Sequence, residues 1–260
     1  MFYPESGGCR GTKLVRVITP EPKPQAAPHI RTFHPRRGRM GAVRADALAR
    51  LWPERGYDID PHGEAPGGVP GAFVPAPFDP AALFGRSAPL VLEIGCGMGE
   101  ATAAMAAADP DRDYLGVDVH TPGLANLLAL AERDGLRNLR AARGDAVELL
   151  RDLMKPGSLD AVHVFFPDPW PKAKHHKRRI VRPDVVALIR ERLVPGGLLR
   201  CATDWAPYAE QMLEVLSADP GLRAVHVGYA PRPAQRPVTK FERRALTAGR
   251  QVFDLEYVRA

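Results

Sequence analysis

Hydrophobic and polar positions follow two regimes along the chain. Up to residue 88 no regular period holds for long, whereas from Pro89 onward short apolar runs alternate with segments of helical period. Leu90-Val91-Leu92-Glu93-Ile94 is a nearly continuous apolar run, which predicts a strand buried on both faces. The alanine-rich stretch 100–108 predicts a helix packed closely behind it. Further strands are predicted over 114–119, 139–143, 161–166 and 197–203. Helices are predicted over 121–135, from Ala146, over 183–193 and over 206–218. Thr121-Pro122 supplies an N-cap and a first-turn proline for the second predicted helix. Segments 222–229 and 251–258 predict two last strands that close the sheet as an antiparallel pair. Such alternation implies an α/β fold: a doubly wound, mostly parallel seven-stranded sheet covered on both faces.

Before Pro89 the pattern predicts three regions. Residues 1–28, with scattered prolines and no period, read as a disordered tail. Residues 29–88 read as a basic, Pro/Gly-rich N-terminal extension wrapping the core, with a short helix over 45–52. Its segment Arg31-Thr32-Phe33-His34-Pro35-Arg36-Arg37-Gly38-Arg39 meets no acid until Asp46. Residues 89–260 form the α/β domain.

Composition narrows the function classes. Hydrophobic residues at 45% and charged residues at 25% are ordinary for a globular protein. No apolar run is long enough for a membrane helix and no apolar leader is present, so a cytoplasmic location without membrane contact is expected. Cys9, Cys96 and Cys201 are odd in number and lack metal-ligand spacing, which fits free thiols and no metal site. The net charge of +6 favours a polyanionic partner. Only seven of the 36 basic residues are lysine; arginine suits phosphate, but a GC-rich genome gives the same bias.

Candidate chemistry begins at Glu93-Ile94-Gly95-Cys96-Gly97-Met98-Gly99-Glu100, the strand-to-helix turn where doubly wound folds bind nucleotides. Glycines there admit a ligand that a Cβ would exclude. A dinucleotide fingerprint needs glycine or alanine at the sixth position counted from Gly95; Glu100 stands there instead. That carboxylate repels a diphosphate and tolerates a cationic sulfonium ligand. Asp118 ends the second strand, where it can accept from the ribose hydroxyls of an adenosine. Gly144-Asp145-Ala146 follows the third strand, where a carboxylate can receive an adenine amino group. Alternatively, Glu93 and Asp145 cap helices or pair with arginines. The set Glu93, Gly95, Gly97, Gly99, Asp118 and Asp145 resembles the Rossmann-like class I S-adenosylmethionine-dependent methyltransferases, which implies S-adenosyl-L-methionine as cofactor.

The fourth strand ends in Phe165-Phe166-Pro167-Asp168-Pro169-Trp170, and two prolines fix the direction of the carboxylate. Trp170 can stack on a flipped base or simply fill the core. Lys172, Lys174, His175, His176, Lys177, Arg178 and Arg179 follow without an acid, either as a solvated loop or as a track for phosphates. Thr203-Asp204-Trp205 ends the fifth strand. Asp204, Thr239 and Glu242 have the donors and acceptors to tell guanine from adenine. Thr239 and Glu242 equally form a capping box.

These motifs together resemble the tRNA (guanine-N7-)-methyltransferase family. The match rests on Phe165-Phe166-Pro167-Asp168-Pro169-Trp170-Pro171-Lys172 with the basic run behind it, on Thr203-Asp204-Trp205, and on Arg236-Pro237-Val238-Thr239-Lys240-Phe241-Glu242. The N-terminal basic segment also resembles that family's entry segment. The resemblance implies methyl transfer to N7 of guanine 46 in the variable loop of tRNA, with tRNA as partner, no DNA, and a monomer or homodimer. It implies cofactor contacts from Glu93, Asp118, Asp145 and Asp168, with Asp168 also catalytic. It implies substrate contacts from Lys172, Asp204, Thr239, Lys240, Phe241 and Glu242, and an RNA-facing loop over 174–179. Asp118 stands where many relatives carry glutamate, and Gly41 and Arg44 replace polar residues after the Gly-Arg entry motif. Two other readings compete: a methyltransferase acting on an exocyclic amine, separated by mapping the modified atom, and a non-catalytic RNA-binding protein, which would lack saturable cofactor binding.

Overall fold

A computed structural model describes residues 30, 32–33, 40–59 and 78–260. The predicted tail, most of the basic entry segment (Arg31, Arg36, Arg37 and Arg39 included), and Cys9 lie outside the described residues. Eight strands form one sheet in the order β1-β4-β3-β2-β5-β6-β8-β7. They span Gly56–Asp58, Leu90–Ile94, Asp113–Asp118, Leu139–Arg143, Leu159–Phe165, Leu193–Thr203, Leu222–Ala224 and Phe253–Arg259 in chain order. β1 to β6 pair in parallel, and β8 runs antiparallel to both β6 and β7. The seven predicted strands are all present. The eighth, β1, lies in the segment expected to be irregular: only three residues long, it carries no period that a sequence could show.

The helices are α1 (Ala42–Arg55), α2 (Pro80–Phe84), α3 (Glu100–Ala108), α4 (Thr121–Arg133), α5 (Ala146–Glu148), α6 (Pro183–Arg192), α7 (Ala206–Ala218) and α8 (Lys240–Thr247). A π-helical turn over Leu149–Leu153 continues α5, and a 3-10 helix spans Ala173–Arg178. α1, α3 and α4 bury their apolar residues on one face of the sheet, against Val91, Leu139 and Ala161. α6, α7 and the segment after β4 bury theirs on the other, against Leu92, Val162 and Leu199. Every residue of β2 and β4 is buried, as a central parallel strand covered on both faces requires. α4 opens with His120 at the cap and Thr121 already helical, one residue earlier than predicted; Pro122 lies in the first turn, where its missing N–H costs nothing. No described helix is long and apolar enough to cross a membrane.

Candidate active site

The carboxyl ends of β2, β3, β4, β5 and β6 share one edge of the sheet, so the residues leaving them converge. The turn after β2 is held from below by β3: Gly95 and Cys96 donate to the Val117 carbonyl at 2.8 and 3.2 Å. Gly95, Gly97 and Gly99 have φ of 75°, 58° and 77°, in the left-handed region that side chains avoid. A Cβ built on Gly95 or Gly97 meets nothing within 4 Å, so these two glycines leave open space over the turn. At Gly99 a Cβ would lie 2.6 Å from the Leu127 side chain and 3.0 Å from its Cα. The bareness of Gly99 thus also lets α4 pack against the turn.

Asp118 organises this turn. Its Oδ2 accepts from the Gly97 N–H and its Oδ1 from the His120 N–H, both at 2.8 Å. Burial raises its pKa, and those two backbone donors oppose the rise. The carboxylate thus fixes the loop by itself, with acceptor capacity left for a hydroxyl. Asp145 takes the capping role weighed above: its Oδ1 accepts from the Val147 N–H at 2.8 Å at the start of α5. Glu93 is 3% exposed, and burial, helped by the nearby Asp118 charge, pushes its carboxyl up to about 7. Thr102 and Arg236 pull in the other direction. Glu93 Oε2 has no hydrogen-bond partner among the described residues. A cationic ligand would supply what this acid lacks, and open glycines with acid-tipped strands suit an adenosyl sulfonium.

Asp168 leaves β5, the strand paired directly with β2 through Glu93 and His163. The short loop that carries it is strained at both ends: Phe166 has φ 51° and Trp170 φ 45°, a conformation costing bulky residues roughly 1–2 kcal/mol each. Tertiary contacts hold both. Phe166 N–H donates to the Ala202 carbonyl at 2.7 Å, and the Arg236 guanidinium lies 5.5 and 5.4 Å from the Phe165 and Phe166 rings. Trp170 is 4% exposed, donates from Nε1 to the Thr32 carbonyl at 3.2 Å, and is covered by Arg178 at 4.9 Å. Of its two readings, packing is the one realised, and it ties Thr32 to the Asp168 loop.

Two expected contacts are corrected. Arg179 does not face solvent: it is 2% exposed and donates from Nε to the Pro169 carbonyl at 2.9 Å. Lys172, Lys174 and Lys177 are exposed, and His175, His176 and Arg178 partly so, which leaves these as the cationic surface beside the loop. Glu242 is not poised to read a base. It is 1% exposed and its two oxygens accept from Arg236 Nη1 at 2.7 Å and Arg232 Nε at 2.8 Å. Arg236, itself 1% exposed, also donates to Asp254 Oδ2 at 3.0 Å. Two arginines balance two acids, with Arg232 reaching in from the surface, which is why Arg236, Glu242 and Asp254 can sit out of water. Thr239 caps α8, its Oγ1 accepting from the Glu242 N–H at 3.0 Å, while the Lys240 and Phe241 side chains lie outside the described residues. Asp204 pairs with the half-exposed Arg250 at 3.0 Å, in a position where water competes for the pair. A cavity of about 420 Å³ opens beside Glu242 and Asp254, lined also by Val238 and Leu246, within the size range of ligand sites.

The role of Asp254 had no local signal, since one acid inside an apolar strand reads as an exposed position. The spacing of Arg236 and Glu242 around a proline and a cap was visible, but not that both are buried.

The sheet order and the glycine turn are those of a class I S-adenosylmethionine-dependent methyltransferase. The solved 16S rRNA methyltransferase KamB shares the fold with a TM-score of 0.51 and 18% identity, covering 70% of this chain and 94% of that one. A family model described as "Putative methyltransferase" matches residues 87–255. The tRNA (guanine-N(7)-)-methyltransferase of Streptomyces avermitilis is 54% identical over 232 residues, covering 88% of this chain and 75% of the relative. That of Bordetella pertussis is 49% identical over 239 residues, covering 92% and 89%. The chain belongs to the tRNA (guanine-N7-)-methyltransferase family.

Proposed function

We infer that this chain transfers a methyl group from S-adenosylmethionine to N7 of guanine 46 in tRNA, with Asp168 at the meeting point of donor and base. The observation that carries the assignment of Asp168 is its loop: Pro-braced, strained at both ends, and leaving the strand beside the open glycine turn. Membership of the family carries the reaction and the RNA substrate.

When bound, S-adenosylmethionine offers a methyl group on a cationic sulfur; the N7–carbon bond forms as the sulfur–carbon bond breaks, and positive charge passes to the purine. Guanine N7 has a free lone pair at neutral pH, so no base need remove a proton first. The chain's tasks are alignment and charge support. Glu93, Asp118 and Asp145 would hold the donor at the turn formed by Gly95 and Gly97. Asp168 orients the base and offsets the charge that develops on it. Asp204 and Lys172 contact the substrate at the same edge. Glu242, neutralised by Arg232 and Arg236, holds the Thr239–Glu242 segment in place, with Lys240 and Phe241 inside it. Lys174, His175, His176, Lys177 and Arg178 meet phosphates, positioning the RNA without reading sequence. Thr32, joined to Trp170, belongs to the basic segment that we assign to tRNA binding, and the work is done in the cytoplasm.

Incubation with labelled donor and unmodified tRNA, followed by nucleoside analysis, should yield 7-methylguanosine. Asp168→Ala should lose most turnover and keep tRNA binding. Near-normal turnover in that variant would remove Asp168 from its role, and a methylated exocyclic amine would overturn the reaction assigned.

A further inference from the structure

Arg179 ends a run of cations that the sequence marks for RNA, yet it is turned inward. Its Nε donates to the Pro169 carbonyl at 2.9 Å, its Nη1 to Gln211 Oε1, and its guanidinium lies 4.6 Å from the centre of the Tyr208 ring. Both partners on α7 are themselves anchored. Tyr208 accepts from the Val181 N–H at 3.1 Å, and Gln211 Nε2 donates to the Val181 carbonyl at 3.4 Å. Among the described residues no carboxylate pairs with Arg179, and its Nη2 has no partner. Burial accordingly lowers its pKa.

A buried guanidinium without a counter-ion is an expensive way to fill space, and a methionine of similar length would pack there at lower cost. What hydrocarbon cannot supply is a donor aimed at the Pro169 carbonyl. Pro167 and Pro169 fix two φ angles on either side of Asp168, so the peptide planes that follow decide where the carboxylate points. The Pro169 carbonyl belongs to the plane shared with Trp170, whose φ of 45° that plane must accommodate. Fixing the carbonyl therefore fixes the loop.

We propose that Arg179 is a positioning residue for methyl transfer, holding the Pro169 carbonyl so that Asp168 is aimed at the reacting atoms, and that it does not touch RNA. This rests on the role given to Asp168 above. A displacement of about 1 Å at a reacting group costs roughly 10²-fold in rate, which sets the effect to look for.

The test compares Arg179→Met, Arg179→Lys, Gln211→Met and Asp168→Ala in the full chain. It reads the single-turnover rate at saturating tRNA and S-adenosylmethionine, tRNA Kd at two salt concentrations, and Tm. Arg179→Met should lower the rate roughly 10²-fold and leave Kd and its salt dependence as in the wild type. Arg179→Lys, which keeps the charge without the planar fork, should recover little of the rate. It also serves if the methionine variant does not fold. Gln211→Met removes a partner of Arg179 but not the carbonyl contact, so it should lower Tm without a comparable loss of rate. Weaker tRNA binding with a flatter salt dependence and an unchanged saturated rate would restore Arg179 to the RNA surface. Rate losses that track Tm alike in the Arg179 and Gln211 variants would make it scaffold only, and wild-type behaviour in every readout would also overturn the proposal. An active Asp168→Ala protein would instead defeat the role of Asp168 itself.

Discussion

Replacing Glu93 by glutamine tests the electrostatics of the cofactor pocket without changing its shape. The carboxyl lies within the central strand β2, 3% exposed, and burial raises it from 4.5 to about 7. The folded chain therefore holds a proton that the unfolded chain releases as pH rises from about 4.5 to about 7. Stability contributed by the neutral acid is present below that window and lost across it. At 1.36 kcal/mol for each pH unit, the penalty above pH 7 is about 3 kcal/mol. Glu93→Gln should therefore be more stable than the wild type by about 3 kcal/mol at pH 8, and nearly equal to it at pH 4.5. Urea unfolding of both proteins at the two pH values measures this, and taking the difference between proteins cancels the other titrating groups. A gap that is the same at both pH values, or smaller at pH 8, would refute the reasoning. The same acid should ionise when a cationic donor binds. Cofactor uptake near pH 7 should then release protons, seen as a heat that varies with the buffer, and Glu93→Gln should abolish that variation.

Four further outcomes follow from other positions. His163, buried in β5 with neither ring nitrogen partnered among the described residues, is held down to about 3 by burial and by Arg200 and Arg112, so the folded state resists a proton that the unfolded state takes up below 6.5. The wild type should lose about 2 kcal/mol from this group between pH 7 and pH 5, and His163→Leu should not; equal acid sensitivity of the two proteins in urea titrations would argue otherwise. Gly99→Ala, with Leu127 2.6 Å from the new Cβ, should lower Tm with little effect specific to the cofactor. Gly97→Ala, with open space there, should cost only about 1–2 kcal/mol of backbone strain but weaken S-adenosylmethionine binding; thermal shifts with and without cofactor separate the two. Lys174→Ala, Lys177→Ala and Arg178→Ala combined should weaken tRNA binding and reduce the slope of log Kd against log salt by up to about 0.7–0.9 for each phosphate no longer neutralised. An unchanged slope would place the 3-10 helix away from RNA.

The order of strands and helices, the glycine turn, the acid tips of β2, β3 and β4, and the Pro-Asp-Pro loop were all determined by the sequence itself. Each depends on periodicity, glycine or proline within a few residues, and short-range sterics decide such features before the chain folds. The tertiary structure decided which charges face water. Arg179 and Arg178 are neighbours in one basic run, but only Arg179 finds acceptors on a helix 32 residues away and turns inward. Glu242 read equally as a cap partner and a base reader until Arg236, which also bridges to Asp254 18 positions beyond itself, joined Arg232 in neutralising it. Trp170 became packing because Thr32, 138 positions earlier, accepts its ring N–H. The edge strand Gly56–Asp58 exists because β4 offers it a free edge to pair with. Burying a charge or an indole N–H depends on partners brought together by the whole fold, and no local window of sequence contains them.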